Sequence, residues 1–320
     1  MIDGCGREID HLRLSLTDRC NLACRYCTPV DSRMRGGAID ASFAFEIVRW
    51  LSGRHGIRHV RLTGGEPLVY PKLLPLIERL SKLESLDEIT LTTNGQLLRR
   101  KAAALRAAGL SRVNVSLDTL DPRRFAELTR GGSVPRTLDG IKAAVESGLT
   151  PVRINVIAQR GLNEQELPDI AAWGLSQGCV VRFLELMPLG PVTQVAGDLL
   201  VPASEVLERL GRRFTLHEIP DHTGQPSRDY MITGAGLRGV VGVIAATTRP
   251  FCSCCRRLRV TSRGLLVTCL HSNLHDDLSP FWDGQALDCS GADALLARAV
   301  AAKPAAGPRA QSLTMLSLGG

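Results

Sequence analysis

Between residues 11 and 187 the chain alternates two periodicities. Runs with apolar residues at every second position recur at 12–16, 57–62, 88–92, 112–117, 152–158 and 180–186, a strand pattern. Between them, near 42–53, 72–82, 96–108, 135–147 and 164–176, the spacing becomes helical. Gly109 and Gly148 each follow such a stretch, where a helix C-cap belongs. Repeated βα units imply a parallel sheet with right-handed crossovers. Six of them predict an α/β fold, an incomplete (βα)6 TIM-type barrel whose chemistry sits at the C-terminal strand ends. After Pro188 the texture changes. A Gly/Pro/Val-rich connection (189–201) leads to a short helical stretch at 203–210, then to short strands and turns over 212–250. A soft boundary near 210–225 divides a core, 1–215, from a smaller C-terminal α+β region, 216–320. The stretch 301–310 reads as a flexible Ala/Pro/Gly linker.

The residues at the predicted strand ends change the picture. After the first strand comes Cys20-Asn21-Leu22-Ala23-Cys24-Arg25-Tyr26-Cys27. Three thiolates at C-x3-C-x2-C spacing can wrap one face of a cubane iron–sulfur cluster and leave one iron open. A zinc site and three buried structural cysteines are the alternatives. Thr63-Gly64-Gly65-Glu66-Pro67 follows the second strand, Thr92-Thr93-Asn94-Gly95 ends the third, and Ser116 and Asp118 end the fourth. Arg153 and Asn155 lie in the fifth, and Met187 closes the sixth. Taken singly, these have ordinary readings as turn, cap and core residues.

A second cysteine group lies at 251–270. Cys252 and Cys255 form C-x2-C, and Cys269 follows after thirteen residues. A hairpin over 258–267, turning at Ser262-Arg263-Gly264, would bring Cys269 back beside the pair. The spacing fits an iron–sulfur cluster or a zinc ribbon with His271 or Cys254 as fourth ligand. Arg257 and Arg259 alternate with Leu258, so on a strand the two guanidiniums share a face. Such a pair can grip phosphate oxygens bidentately, or form a solvated basic strand.

Composition narrows the class. With 320 residues, 44% of them apolar, the chain can bury a sizeable core. Ten cysteines, unevenly placed, point to metal or redox chemistry rather than disulfides. No apolar run reaches the roughly 18–20 residues of a bilayer span, and no signal-peptide pattern opens the chain, so a cytoplasmic protein without membrane association is expected. The net charge of +7 suits an anionic substrate. Three Tyr and three Trp argue against stacking platforms for nucleic acid.

The first cysteine motif, with Gly-Gly-Glu-Pro some forty residues later, resembles the radical S-adenosylmethionine (SAM) superfamily. The resemblance implies a [4Fe–4S] cluster on Cys20, Cys24 and Cys27, with SAM chelating the fourth iron. Gly64, Gly65 and Glu66 would meet the SAM amino group, the glycines by close backbone approach and Glu66 by its carboxylate.

From about residue 10 onward the chain resembles the GTP 3′,8-cyclase family of molybdenum cofactor biosynthesis. The match rests on Thr17-Asp18-Arg19-Cys20-Asn21, on 61–68, 92–95, 114–118, 183–190 and 251–270, and on the terminal Gly319-Gly320. It implies a second [4Fe–4S] cluster on Cys252, Cys255 and Cys269, whose open iron would hold the guanine. Tyr26, Gly65, Ser116 and Met187 would line the SAM site. Arg13, Arg61, Thr92, Arg153, Arg257, Leu258, Arg259, Gly319 and Gly320 would contact GTP. Arg153 stands where the family usually has Lys, and Cys254 is additional.

The implied reaction starts with a 5′-deoxyadenosyl radical that removes hydrogen from ribose C3′ of GTP. The ribose radical then attacks guanine C8, with the second cluster supporting the later electron transfer. The implied partners are a flavodoxin- or ferredoxin-type electron donor, a downstream cyclic pyranopterin monophosphate synthase that takes the metabolite, and a second copy of the chain in a homodimer. The alternatives are a radical SAM enzyme acting on a peptide and a zinc-stabilised binding protein.

Overall fold

The computed structural model describes residues 1–28, 37–220 and 225–306. Apolar residues at every second position give each strand one dry face, and that face sets the layering. In sequence order, β1 (His11–Ser15), β2 (His59–Thr63), β3 (Glu88–Thr93), β4 (Arg112–Ser116), β5 (Arg153–Ala158) and β6 (Val180–Glu185) pair in parallel. Leu12, Leu14, Val60, Leu62, Ile89, Leu91, Val113, Val115, Ile154, Val156, Val181 and Phe183 are buried in one core with the helices. The alternate positions turn to the other face, the concave lumen of the partial barrel.

The crossovers are α1 (Ala41–His55), α2 (Leu73–Leu80), α3 (Ala102–Ala107), α4 (Pro122–Thr129), α5 (Val134–Glu146) and α6 (Leu167–Ser176). The helix predicted over 96–108 divides into a 3-10 turn, Leu98–Arg100, and α3, with Lys101 between them. Sequence reading missed α4. Its local signal is complete: Asp121 accepts hydrogen bonds from Arg123 N and Arg124 N as N-cap, and Pro122 takes the first helical position.

Beyond β6 come α7 (Ala196–Leu199), α8 (Ala203–Gly211), β7 (Thr215–Glu218), β8 (Arg228–Gly234), β9 (Leu237–Ile244), β10 (Arg257–Val260), β11 (Leu265–Val267), β12 (Asp276–Asp277) and α9 (Cys289–Ala301). The strands after residue 215 join the barrel's own sheet at both of its edges. The order is β12-β11-β10-β1-β2-β3-β4-β5-β6-β9-β8-β7, with β10 parallel to β1 and β9 parallel to β6. Residues 245–256 therefore run from the C-terminal end of one edge strand to the N-terminal start of the other. The expected 258–267 hairpin is β10–β11, antiparallel.

The linker expected at 301–310 is a correction for its first part. Helix α9 reaches Ala301, and Lys303 is only 3% exposed, held by bonds described below. Residues 307–320, including Gly319 and Gly320, lie outside the described residues. No helix among the described residues is long and apolar enough to cross a membrane.

Gly174 lies inside α6, where Ala is normally favoured by about 1 kcal/mol. A Cβ there would collide with Val181 Cγ2 of β6 and lie 3.2 Å from Ile154 Cδ1. Overpacking costs about 1–3 kcal/mol, so Gly174→Ala should lower the denaturant midpoint. A raised midpoint would show that the helix–sheet contact is looser than described.

Candidate active site

The first cysteine set follows β1 at the upper mouth of the barrel, where all six strands end. Helix α4 supports its loop. Ala23 N donates to Thr129 O (3.1 Å) and Arg25 N to Leu128 O (2.9 Å), so the loop satisfies carbonyls at the helix's C-terminal end. Gly64 and Gly65 approach this same loop. Gly65 N donates to Thr17 O (2.6 Å) and Glu66 N to Arg19 O (2.8 Å). A Cβ on Gly64 would lie 2.5 Å from Thr17 O, and one on Gly65 would strike Arg19 O. Gly64 also has φ 149°, a conformation natural only to glycine. The close approach expected of these glycines is thus made to the chain's own cysteine loop.

Glu66 is 1% exposed and its carboxylate is bound internally. It accepts from Leu68 N (3.0 Å), Thr93 Oγ1 (2.7 Å) and Asn94 N (2.8 Å), which ties the ends of β2 and β3 together. Asn94 Nδ2 in turn donates to Asn21 Oδ1 (2.8 Å) and lies 3.8 Å from Cys20 Sγ. Tyr26 packs beside Leu186, Val192 and Ala196, and its hydroxyl donates to Asp118 Oδ2 (2.8 Å). Asp118 Oδ1 accepts from Ile157 N (2.8 Å). Thr92, Ser116 and Met187 are half-buried at this same mouth, Ser116 in register with Asn155.

Burial raises both acids, Glu66 to about 7 and Asp118 to about 6. It raises the thiols too, Cys20 to about 11 and Cys27 to about 12; Cys24 goes up by burial and then by the neighbouring Cys27 and Asp118. The three thiols lie half-buried on one short loop, and a cationic metal core there would supply the charge that lets them ionise. Leu22 N, 3.4 Å from Cys20 Sγ, is an N–H donor suited to a ligand sulfur.

The second set lies at the opposite mouth. Cys252 and Cys255 precede β10, which starts beside the start of β1, and Cys269 follows β11 back down. Cys254 is half-buried in the 3-10 turn between the two, its thiol donating to Phe251 O (3.5 Å). The electrostatics are reversed here. Burial opposes ionisation of Cys255, but Arg257 and Lys303 overcome it and bring the thiol down to about 7. His271 is held low by burial and by Arg259 and Arg257. A pocket already favouring thiolate suits a metal centre.

Between the mouths the lumen is lined with arginine. Register places Arg259 beside Arg13, Arg13 beside Arg61, and Arg61 beside Thr90. Arg112, Arg153 and Arg182 occupy the matching face of β4, β5 and β6. Arg112 is paired bidentately with Glu88 (2.5 and 2.7 Å). Arg182 is 3.9 Å from Asp229. Arg13 Nε, Arg153 Nε, Arg182 Nε and Arg259 Nη1 are buried without a hydrogen-bond partner. Burial, and then neighbouring guanidiniums, hold Arg61 down to about 9; Arg259 falls to about 10 by burial and then Arg257. At the floor His11 and His59 stack at 4.4 Å, and Asp10 accepts from Arg256 Nε (2.9 Å).

The structure thus gathers Arg13, Arg61, Arg153, Arg257 and Arg259 around one lumen. It does not bring the Leu258 side chain there: Leu258 is fully buried in register with Leu12, on the core face. Sequence reading missed Arg112 and Arg182. Their signal was an arginine at a polar position of an otherwise aliphatic strand, a costly placement without an anion.

Cysteine loop, partial barrel and Gly-Gly-Glu-Pro turn define the class, and the Radical SAM superfamily model matches residues 14–174. A second model, Molybdenum Cofactor Synthesis C, matches residues 179–307. Streptococcus suis SuiB bound to S-adenosylmethionine has the same fold, with a TM-score of 0.63 at 15% identity over 87% of this chain and 65% of that one. Among curated relatives, the GTP 3′,8-cyclase of Geobacter sulfurreducens is 42% identical over 88% of this chain and 86% of its own. That of Moorella thermoacetica is 40% identical over 95% and 94%, and that of Streptomyces coelicolor 44% identical over 87% and 82%. The chain belongs to the GTP 3′,8-cyclase family.

Glu66 and Asp118 hold protons more tightly folded than at their ordinary values of 4.5 and 3.8. The stability each contributes is complete below about pH 4 and is lost as pH rises through about 6–7. In cluster-free protein, the native chain should therefore lose stability relative to Glu66→Gln as pH rises across that window. A difference independent of pH would contradict the raised acid.

Proposed function

We infer that this chain is a radical SAM GTP 3′,8-cyclase. The observation that carries the reading is a lumen of under-compensated guanidiniums closed by a cysteine triad at each mouth. Cys20, Cys24 and Cys27 would hold one [4Fe–4S] cluster, and Cys252, Cys255 and Cys269 the other. When bound, the first cluster and SAM supply a carbon radical able to take hydrogen from an unactivated C–H bond.

The chain's own residues do the rest. The upper mouth carries two buried acids, Asp118 and Glu66, both engaged by the chain's own donors. Tyr26, Gly65, Ser116 and Met187 are our candidates to line it. Asp118 fixes Tyr26 through its hydroxyl, and Glu66 fixes the strand ends rather than reaching outward. The arginine rows below suit a triphosphate: Arg13, Arg61, Arg153, Arg257 and Arg259 line them, joined by Arg182, whose nearest carboxylate is Asp229 at 3.9 Å. Held there, GTP would span the lumen with its ribose toward the upper mouth and its guanine toward the lower. The net change takes a hydrogen atom from ribose C3′, joins C3′ to guanine C8, and returns one electron from the external electron donor and one proton to guanine N7, giving (8S)-3′,8-cyclo-7,8-dihydroguanosine 5′-triphosphate. Positioning and exclusion of water are the protein's contribution. Thr92 and the main chain of Leu258 are further candidates for GTP contact, as are Gly319 and Gly320.

We also propose a cytoplasmic setting, a flavodoxin- or ferredoxin-type electron donor, hand-over of the product to a cyclic pyranopterin monophosphate synthase, and a homodimer. The peptide-modifying alternative has fold likeness alone behind it, and an arginine-lined lumen suits it poorly.

Anaerobically purified protein should hold about eight irons per chain and, with GTP, SAM and dithionite, give GTP-dependent 5′-deoxyadenosine and a cyclised nucleotide. SAM cleavage without a GTP product would move the substrate to a peptide. Zinc without iron would sink the enzyme reading. Separately, Arg182→Ala and Arg259→Ala should each weaken GTP binding roughly ten- to a hundredfold, the worth of a charge-assisted hydrogen bond, with iron content intact. Unchanged GTP affinity would remove them from the site.

A further inference from the structure

Lys303 is the buried charge that the reading above leaves without a task. Lysine is almost never fully buried unless its charge is met, yet this one is 3% exposed. Its ammonium donates to Arg257 O (2.6 Å) and Thr268 O (2.6 Å), and its Nζ lies 3.6 Å from Cys255 Sγ. With Cys255 as thiolate, these three acceptors match the three N–H groups of an ammonium. The two carbonyls belong to the two legs of one hairpin. Arg257 opens β10 two residues after Cys255, and Thr268 immediately precedes Cys269. One side chain therefore spans both legs and touches a thiol of the second set.

The placement is built from elsewhere in the fold. Lys303 follows α9, and Arg7 clamps the segment behind it. Arg7 is 7% exposed, with Nε on Asp3 Oδ2 (2.6 Å). Its Nη2 donates to Pro304 O (2.8 Å) and its Nη1 to both Ala305 O (3.2 Å) and Cys252 O (2.7 Å). Gly4 packs directly against Ala301 O, leaving no room for a Cβ. The N-terminus, the end of α9 and the cysteine turn are thus tied at one point, and the ammonium is aimed from there at the sulfur.

We propose that Lys303 is a positioning residue of the second cysteine set: it holds the two legs of the hairpin together and fixes a positive charge on Cys255 Sγ, making a cluster there easier to reduce. The proposal rests on the reading of that set as a cluster site. The physics is general. Reduction adds negative charge, a fixed cation stabilises the reduced state more than the oxidised one, and N–H···S bonds act in the same direction.

The test uses the full chain with both sites loaded, and an EPR-monitored redox titration of native protein, Lys303→Met and Lys303→Arg. Lys303→Met should move the second cluster's midpoint potential downward and leave the first cluster's unchanged, and Lys303→Arg should recover part of the shift. About four irons in Lys303→Met against about eight in Lys303→Arg would support the holding role directly. If Lys303→Met does not fold, Lys303→Gln, which keeps two donors without the charge, should show the same downward shift. An unshifted second potential at full iron content, in Lys303→Met or in Lys303→Gln, overturns the proposal and leaves the function standing. About four irons in the native protein itself would overturn the second cluster, and this proposal with it.

Discussion

The architecture turns on one electrostatic imbalance. Guanidiniums are drawn out of water into a lumen where neighbouring strands present more guanidiniums than carboxylates. Arg13, Arg61 and Arg259 sit side by side across three strands, and burial with mutual repulsion pulls Arg61 and Arg259 below their ordinary range. Such a lumen is costly in the empty protein. A polyanion relieves it, and a triphosphate is the polyanion that the family handles. The carboxylates near the upper mouth serve another purpose. Glu66 and Asp118 each accept backbone and hydroxyl donors from different strand ends, so that these carboxyl groups pin loops instead of neutralising the arginines.

This imbalance needs the C-terminal region as much as the barrel. β9 and β10 extend the parallel sheet at its two edges, and the connection between them carries Cys252 and Cys255. Because β10 starts where β1 starts, its cysteines fall at the mouth opposite the first set. The two cysteine loops then lie at opposite mouths of one arginine-lined lumen.

Much of this could be read from the sequence. The six barrel strands lie within a residue or two of their alternating runs, and the cysteine and Gly-Gly-Glu-Pro spacings are local facts. What could not be read is non-local. The face of Leu258 followed from alternation, but its burial depended on β10 lying beside β1, a pairing about 245 residues apart in the chain. Arg112 and Arg182 looked like any polar position until the register stacked them with Arg153 on one face. Gly64 and Gly65 have two compatible explanations, a ligand's approach or the approach of the chain's own loop, and only coordinates distinguish them. Helix α4 was legible in Asp121-Pro122 and was overlooked.

The pairing of β1 with β10 also bears on synthesis. As the chain leaves the ribosome, the first cysteine loop has α4 and the ends of β2 and β3 beside it by residue 129, and the packing partners of Tyr26 by residue 196. The second cysteine set draws on Arg7 and on Lys303, so its contacts cannot be completed until residue 303 has been made. The contacts that hold the first loop are therefore all available before those that hold the second. A chain cut short before residue 303 would keep the first loop's contacts and lack the lysine that ties the two legs of the β10–β11 hairpin.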